Sequence, residues 1–351
     1  MKRSFAYLAL AGAVGVGATI VACGESTTGG GGGGGSSEVT TAHGDFHGYA
    51  VNKITLPMAN KDYAIDLNGD GRLDNQLGNI IGTLAANNLD AQSGVDLSIQ
   101  EGSVSVLFDV QTNDATLKSD ATVGVTAYLG KNMGGMIAKD DGGNSVDGGS
   151  CKNCPDFSGM GMFTVDASQS PVTVFGVLAG GNFKSNNPVT TKKPVSVTLK
   201  IALISGAAPL NLTLNGAHVQ WTSGMDVATK KPGLLNGQIH GSIKSADIQT
   251  GIIPAVAQLL TMRLKADPTS ASSKQIAGIF DTGGCGTAKP NDGIIDTCEV
   301  ANNSIIMAVL APDIQVYDAN GNYAPNKDNK VKDSLSAGLS FTAVAGTIVG
   351  K

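Results

Sequence analysis

The sequence predicts an α+β fold dominated by antiparallel strands: a β-sandwich-like body with a few segregated helices. Three observations carry that expectation. Several runs alternate apolar and polar residues with strict period two, an Asn-Gly dipeptide sits where it would pair two of them, and a few isolated stripes have helical spacing. Glycine accounts for 48 of 351 residues, about twice its usual share, which suits a fold rich in turns.

In chain order, the first clear strand is 103–110, with Val104, Val106, Phe108 and Val110 on one face and Ser103, Ser105 and Asp109 on the other. Residues 123–129 and 194–204 repeat the pattern through Val123, Val125, Ala127 and Leu129, then Val195, Val197, Leu199, Ile201 and Leu203. Half-buried antiparallel strands follow. In residues 209–221, Asn215-Gly216 predicts a two-residue hairpin in which Leu214 faces Ala217, Leu212 faces Val219 and Leu210 faces Trp221. That register puts His218 on the polar, solvated face. His240 falls with it, beside Gln238, Ser242 and Lys244. Residues 334–349 form a last long strand. Helical stripes occur at Leu77, Ile80, Ile81 and Leu84, at Ile252 through Leu264, and around Glu299 from Val300 to Leu310, where Pro312 stops the helix.

Composition removes several functions. A formal net charge of -5 with only 15% charged residues offers no field to attract nucleic acid. No apolar run of span length follows residue 22, against a multi-helix membrane protein. Aromatics at 5% leave no girdles for a membrane-spanning barrel. Neither a Gly-x-Ser-x-Gly elbow, an HExxH helix nor a phosphate-binding Walker loop is present.

The address lies at the start. Lys2 and Arg3 precede an acid-free apolar stretch that ends Ile20-Val21-Ala22-Cys23, which reads as an export leader. The junction resembles the lipobox of bacterial lipoproteins, and the resemblance implies cleavage before Cys23 and acylation of that residue. Two or three acyl chains anchor firmly where one does not. The expected organisation is a signal peptide over 1–22, a lipidated Cys23 with a Gly-rich tether over 23–44, and one calcium-stapled β-rich domain over 45–351. Fourteen tether residues, 24–37, have an r.m.s. span of ~20 Å and a contour of roughly 49 Å. Gly24 stands where an Asp would imply inner-membrane retention in enterobacterial lipoproteins, so the expected location is the outer membrane, facing either side. Loss of the leader takes the net charge from -5 to -7.

Export makes disulfides the expected state of the four remaining cysteines. Proximity favours Cys151–Cys154 and Cys285–Cys298 among three possible connectivities. The CKNC spacing is that of a redox pair, but its glycine-rich, acidic setting lacks the strand-to-helix context and favours a staple.

Residues 66–74, DLNGDGRLD, resemble the first nine places of an EF-hand or dockerin calcium loop. The resemblance implies ligands from the side chains of Asp66, Asn68 and Asp70, the carbonyl of Arg72, and Asp74 directly or through water. The twelfth place, normally a bidentate acid, is Leu77, so another group such as Asp62 must complete the shell. Residues 292–299, DGIIDTCE, resemble the closing half of such a loop, implying Asp292, the Ile294 carbonyl, Asp296 and Glu299. Its opening places are Ala288 and Pro290. A third pattern, Asp318 to Asn322, reads as a plain turn. AIDLNGDGRLDNQLG and MAVLAPDIQVYDANGNY are similar to lipoproteins of uncharacterised function from predatory soil bacteria, which implies no activity. The expected function is that of a calcium-binding membrane-anchored lipoprotein with a structural, adhesive or ligand-binding role toward a protein or glycan. The alternative is a calcium-dependent hydrolase or carbohydrate-active enzyme, to be distinguished by a pocket with paired carboxylates.

Overall fold

The computed structural model describes residues 38–86, 90–131, 154–201, 210–283, 285 and 289–351. Eleven strands are present among them: β1 (Asp45–Thr55), β2 (Val106–Thr112), β3 (Asp120–Leu129), β4 (Met162–Thr164), β5 (Val172–Ala179), β6 (Asn182–Ser185), β7 (Ser196–Ile201), β8 (Leu210–Met225), β9 (Pro232–Lys244), β10 (Ser334–Ala345) and β11 (Thr347–Val349). Nine form one sheet in the order β6-β5-β3-β2-β1-β10-β9-β8-β7, and a further pairing of β6 with β8 closes it. The result is an eight-stranded antiparallel barrel with β7 as an extra strand, not the expected sandwich. Alternation reports that one face of each strand is buried, but not whether the sheet meets itself. Closure comes from curvature at register shifts on β1, β3, β8 and β10, the usual work of bulges.

The Asn-Gly dipeptide is one of these bends. β8 runs unbroken from Leu210 to Met225, so no hairpin forms at 215–216. Its first half pairs with β7 as far as Asn215, and its second half pairs with β6 at Gln220 to Thr222. Only Gly216 of the two takes a positive φ, +61°, giving a kink where a type I′ turn needs two such residues.

The core fills the barrel. Phe108 and Phe341 meet at 5.0 Å between ring centroids, and Phe183 stacks on Trp221 at 4.0 Å. Alternate residues of every barrel strand join one buried apolar cluster, while Asp109, His240, Ser334 and Ser336 lie on the outward side. That is the inverse of a membrane-spanning barrel, which is apolar outside and polar within.

Both helical insertions leave from the same end. Helices α1 (Gln76–Ala86) and α2 (Ala91–Gln100) separate β1 from β2. The second insertion, between β9 and β10, holds α3 (Ser245–Asp247), a π-helical stretch Ile248–Ile252, α4 (Ile253–Ala266), α5 (Ala271–Phe280), α6 (Thr297–Asn302) and α7 (Ser304–Val309). Thr55 pairs with Ser340 and Lys244 with Ser334, so the helices gather at that end and add Leu77, Ile81, Val95, Val256 and Leu260 to the barrel core. The third expected helix is split at Asn303, whose side chain caps α7 through the amides of Ile305 and Ile306.

Two outer layers cover the wall. The parallel pair β4–β11 lies over β1 and β2, with Phe163, Val165 and Ile348 on Ala50 and Leu107. This makes β2 buried on both faces and encloses Asp109, 1% exposed, with the Lys351 ammonium 2.5 Å away. The expected long terminal strand is thus broken at Gly346 into β10 and β11. The second layer joins the turn-rich segments 62–75 and 313–333 through Leu67, Ile314 and Val316, all fully buried. It hides the outer faces of β8 to β10. His218 and His240 are therefore 8% and 0% exposed, not solvated. Residues 38–44, assigned to the tether by sequence, lie against the barrel: Asn186 holds the backbone N–H and carbonyl of Val39 at 3.1 and 2.7 Å.

Candidate metal centre

The loop 66–74 folds as a coil wrapped around its own carboxylates. A bridge between Ile65 and Asp74 closes its base. Gly69 and Gly71 take φ of +82° and +83°, letting the chain reverse twice without a Cβ penalty. Asp66 accepts the amides of Gly69 at 2.6 Å and Gly71 at 2.9 Å, Asn68 Oδ1 accepts that of Asp70 at 3.1 Å, and Asp70 that of Arg72 at 2.8 Å. Asp74 accepts from Leu67 at 3.1 Å. These bonds fix the side chains before any ligand arrives.

Asp66, Asp70 and Asp74 each present an oxygen within 4.8 Å of the others. Burial pushes the Asp74 carboxyl up to about 7 against the lowering effect of the Leu67 N–H, and Asp313, Asp70 and Asp66 add like-charge repulsion. A cation among them would relieve that repulsion. Asn68 is 1% exposed and its Nδ2 has no partner. Three converging carboxylates are hard oxygen donors of the kind that can hold a metal ion.

Asp62 does not join this cluster. Its Oδ2 accepts the amides of Met58 and Ala59 at 3.0 and 2.9 Å, capping the preceding turn, and Leu77 itself is in the core. The acid that comes near Asp74 is Asp313, from the segment before β10. It is held by Ser336 through the amide at 2.7 Å and the hydroxyl at 2.5 Å, and burial raises its pKa. No local spacing could have found it.

The second expected loop is organised differently. Glu299, 4% exposed, spends its carboxylate on Gly283 N–H at 2.6 Å and Asp296 N–H at 2.8 Å, the latter being half of the capping box of α6. Asp292 turns onto the amide of Ile294. These acids do not converge: among the described residues, Asp66, Asp70 and Asp74 are the acidic group that does. Asp281, missed in the sequence because it ends α5 ahead of the loop, accepts Asp292 and Gly293 amides at 3.2 and 2.9 Å. The bond to Gly293 repeats that of Asp66 to Gly71. Cys285 and Cys298 are joined across this region, Cα atoms 6.1 Å apart. Cys154 is disulfide-bonded; Cys151 and Cys23 lie outside the described residues. Asp318 accepts Asn320 and Asn322 amides in a turn bridged by Tyr317 and Tyr323.

Two clefts among the described residues are large enough to consider. One of about 270 Å³ lies among Leu84, Leu260, Ile276, Ile279, Phe280 and Ile306, and one of about 160 Å³ lies between Val39, Phe175, Asn186, Lys193 and Ala217. Neither is lined by a pair of carboxylates. No family model, curated protein or solved structure is detectably similar to this chain. Among the described residues, no helix is long and apolar enough to cross a membrane.

Proposed function

We propose that this protein is a lipid-anchored lipoprotein of the outer membrane whose barrel body is fastened by calcium at Asp66, Asn68, Asp70, Arg72 and Asp74, in a structural, adhesive or ligand-binding role. The observation that carries the calcium reading is the convergence of three carboxylates within 4.8 Å on a loop already locked by its own amides. A loop lacking its bidentate acid binds weakly, with a dissociation constant around 10⁻⁴ to 10⁻³ M, as in extracellular modules. Such a site fastens; it does not sense. Isothermal titration of the purified protein with calcium should give that affinity, and Asp70→Ala should abolish the heat. Equal heats from both proteins would defeat the assignment. The anchor rests on the Ile-Val-Ala-Cys junction, and labelled palmitate in a bacterial host should mark the protein but not Cys23→Ser.

A further inference from the structure

His240 is a buried titratable group with no role in the core or the metal centre. It is fully buried, and its two ring nitrogens, shut off from solvent, face only the backbone of His218 and Tyr63. Isolated polar groups in such places cost stability, so what covers this one matters. On β8 its register partner is His218, ring centroids 6.0 Å apart. That ring is tied through Nδ1 to the Ser185 hydroxyl at 2.9 Å and the Asn186 carbonyl at 3.1 Å. On β10 its partner is Gly338, which offers no side chain. A Cβ on Gly338 would stand 2.2 Å from the Tyr63 carbonyl, 2.8 Å from the His240 ring and 3.2 Å from the Asn75 amide. The cover is therefore the segment Asp62–Asn75, the one that carries the metal centre.

Asn75 clasps that segment to the barrel. Its Nδ2 donates to the carbonyls of Gly338 at 3.0 Å and Asp62 at 2.5 Å, and its Oδ1 accepts the Gly338 amide at 2.9 Å. The side chain copies a neighbouring strand. The titratable groups against His240 are His218 from β8 and Tyr63 from the covering segment, with none from Gly338. Lys184 of β6 acts on His218 behind it. Asp62 accepts the amide of Ala59 and Asp74 that of Leu67. Burial first, then the neighbouring His218, hold His240 down to about 3.

We propose that the segment Asp62–Asn75 is an acid-released clasp: His240 takes up a proton only when the segment lifts from β10, and lifting dismantles the metal centre, so acid expels the cation. The last clause rests on the calcium assignment, but the clasp does not.

Hydrogen exchange of the full chain, with intrinsic rates corrected, tests both. A lifted segment lets His240 titrate near its ordinary 6.5, so the opening equilibrium should grow about 30-fold between pH 7.5 and pH 5. In chelator, segment 62–75 should lose that much more protection than it does in His240→Leu, since the opposing protonation of Asp74 is common to both, while β2 and β3 keep theirs. His240→Leu, or the ring-sized His240→Phe if the first misfolds, should remove the loss, and Asn75→Ala should leave the segment poorly protected at both pH values. Equal acid losses in wild type and the His240 variants would overturn the clasp. Calcium at 10 mM should restore protection in the wild type; an intact His240-dependent loss with no calcium effect at either pH would overturn the cation half alone.

Discussion

The kink in β8 makes a quantitative test of how the barrel closes. Gly216 sits at φ +61°, and a Cβ there would lie 2.0 Å from the Tyr323 hydroxyl oxygen and 2.1 Å from its Cζ. Gly216→Ala therefore carries two costs. The left-handed backbone contributes about 1–2 kcal/mol, and displacing a partly buried aromatic ring from Leu67, Ile314 and Val316 adds roughly 1–2 kcal/mol. Gly180 isolates the first cost, since it has φ +58° with open space around its absent Cβ. Urea unfolding should show Gly216→Ala destabilised by about 2–4 kcal/mol and Gly180→Ala by about half as much. In a Tyr323→Ala background, Gly216→Ala should fall to the Gly180 value, because the ring it strikes is gone. An unchanged cost in that background would refute the steric argument and leave only backbone strain.

Acid should destabilise the protein through His240. Its folded pKa, about 3, lies below its ordinary value of 6.5, so the unfolded chain binds the extra proton and stability is lost as pH falls below about 6.5. The loss reaches about 2 kcal/mol at pH 5 and should be absent in His240→Leu by chemical denaturation. Asp74 has the opposite sign: its pKa is raised to about 7, so in chelator the native state binds the extra proton and deprotonation costs stability as pH rises. Asp74→Asn should stabilise the chelated protein at pH 8 and remove its response to calcium, both read by melting. Breaking Cys285–Cys298, at a sequence separation of 13, should cost about 3 kcal/mol, seen as a lower melting temperature in Cys285→Ser/Cys298→Ser than in the oxidised parent. Lys351→Met leaves the buried Asp109 carboxylate without its cation and should cost about 1–3 kcal/mol, less than for a fully buried pair because Lys351 is 36% exposed, largely recovered in Lys351→Met/Asp109→Asn.

The strands were legible because alternation is local: Val106, Phe108 and Val110, or Leu335, Ala337 and Leu339, declare one buried face wherever the chain goes. Closure was not, because it depends on β6 meeting β8 across a bulge that Asn215-Gly216 describes equally well as a turn. The outer layers were also hidden. Nothing in Gln238, His240 and Ser242 says that a distant segment covers them, and nothing beside Asp74 points to Asp313. Helices α2 and α5 did carry signals, in the capping residues Asp90 and Ser270 and the stripe Ala91, Val95 and Ile99, but Gly94 and sparse apolar spacing weakened them. The convergence of Asp66, Asp70 and Asp74 was legible because the geometry of that loop is set by neighbours in sequence, whereas the fate of Glu299 depended on Gly283, 16 residues away.

The most direct test of the calcium fastener is the melting temperature of the purified protein in excess chelator and in 10 mM calcium. At about 100 times a dissociation constant of 10⁻⁴ M, linkage gives about 2.7 kcal/mol, or roughly 5 °C for a body of this size. Wild type should melt that much higher in calcium, and Asp70→Ala should show little change. Coincident wild-type melting curves in chelator and calcium would mean that Asp66, Asp70 and Asp74 only shape a turn.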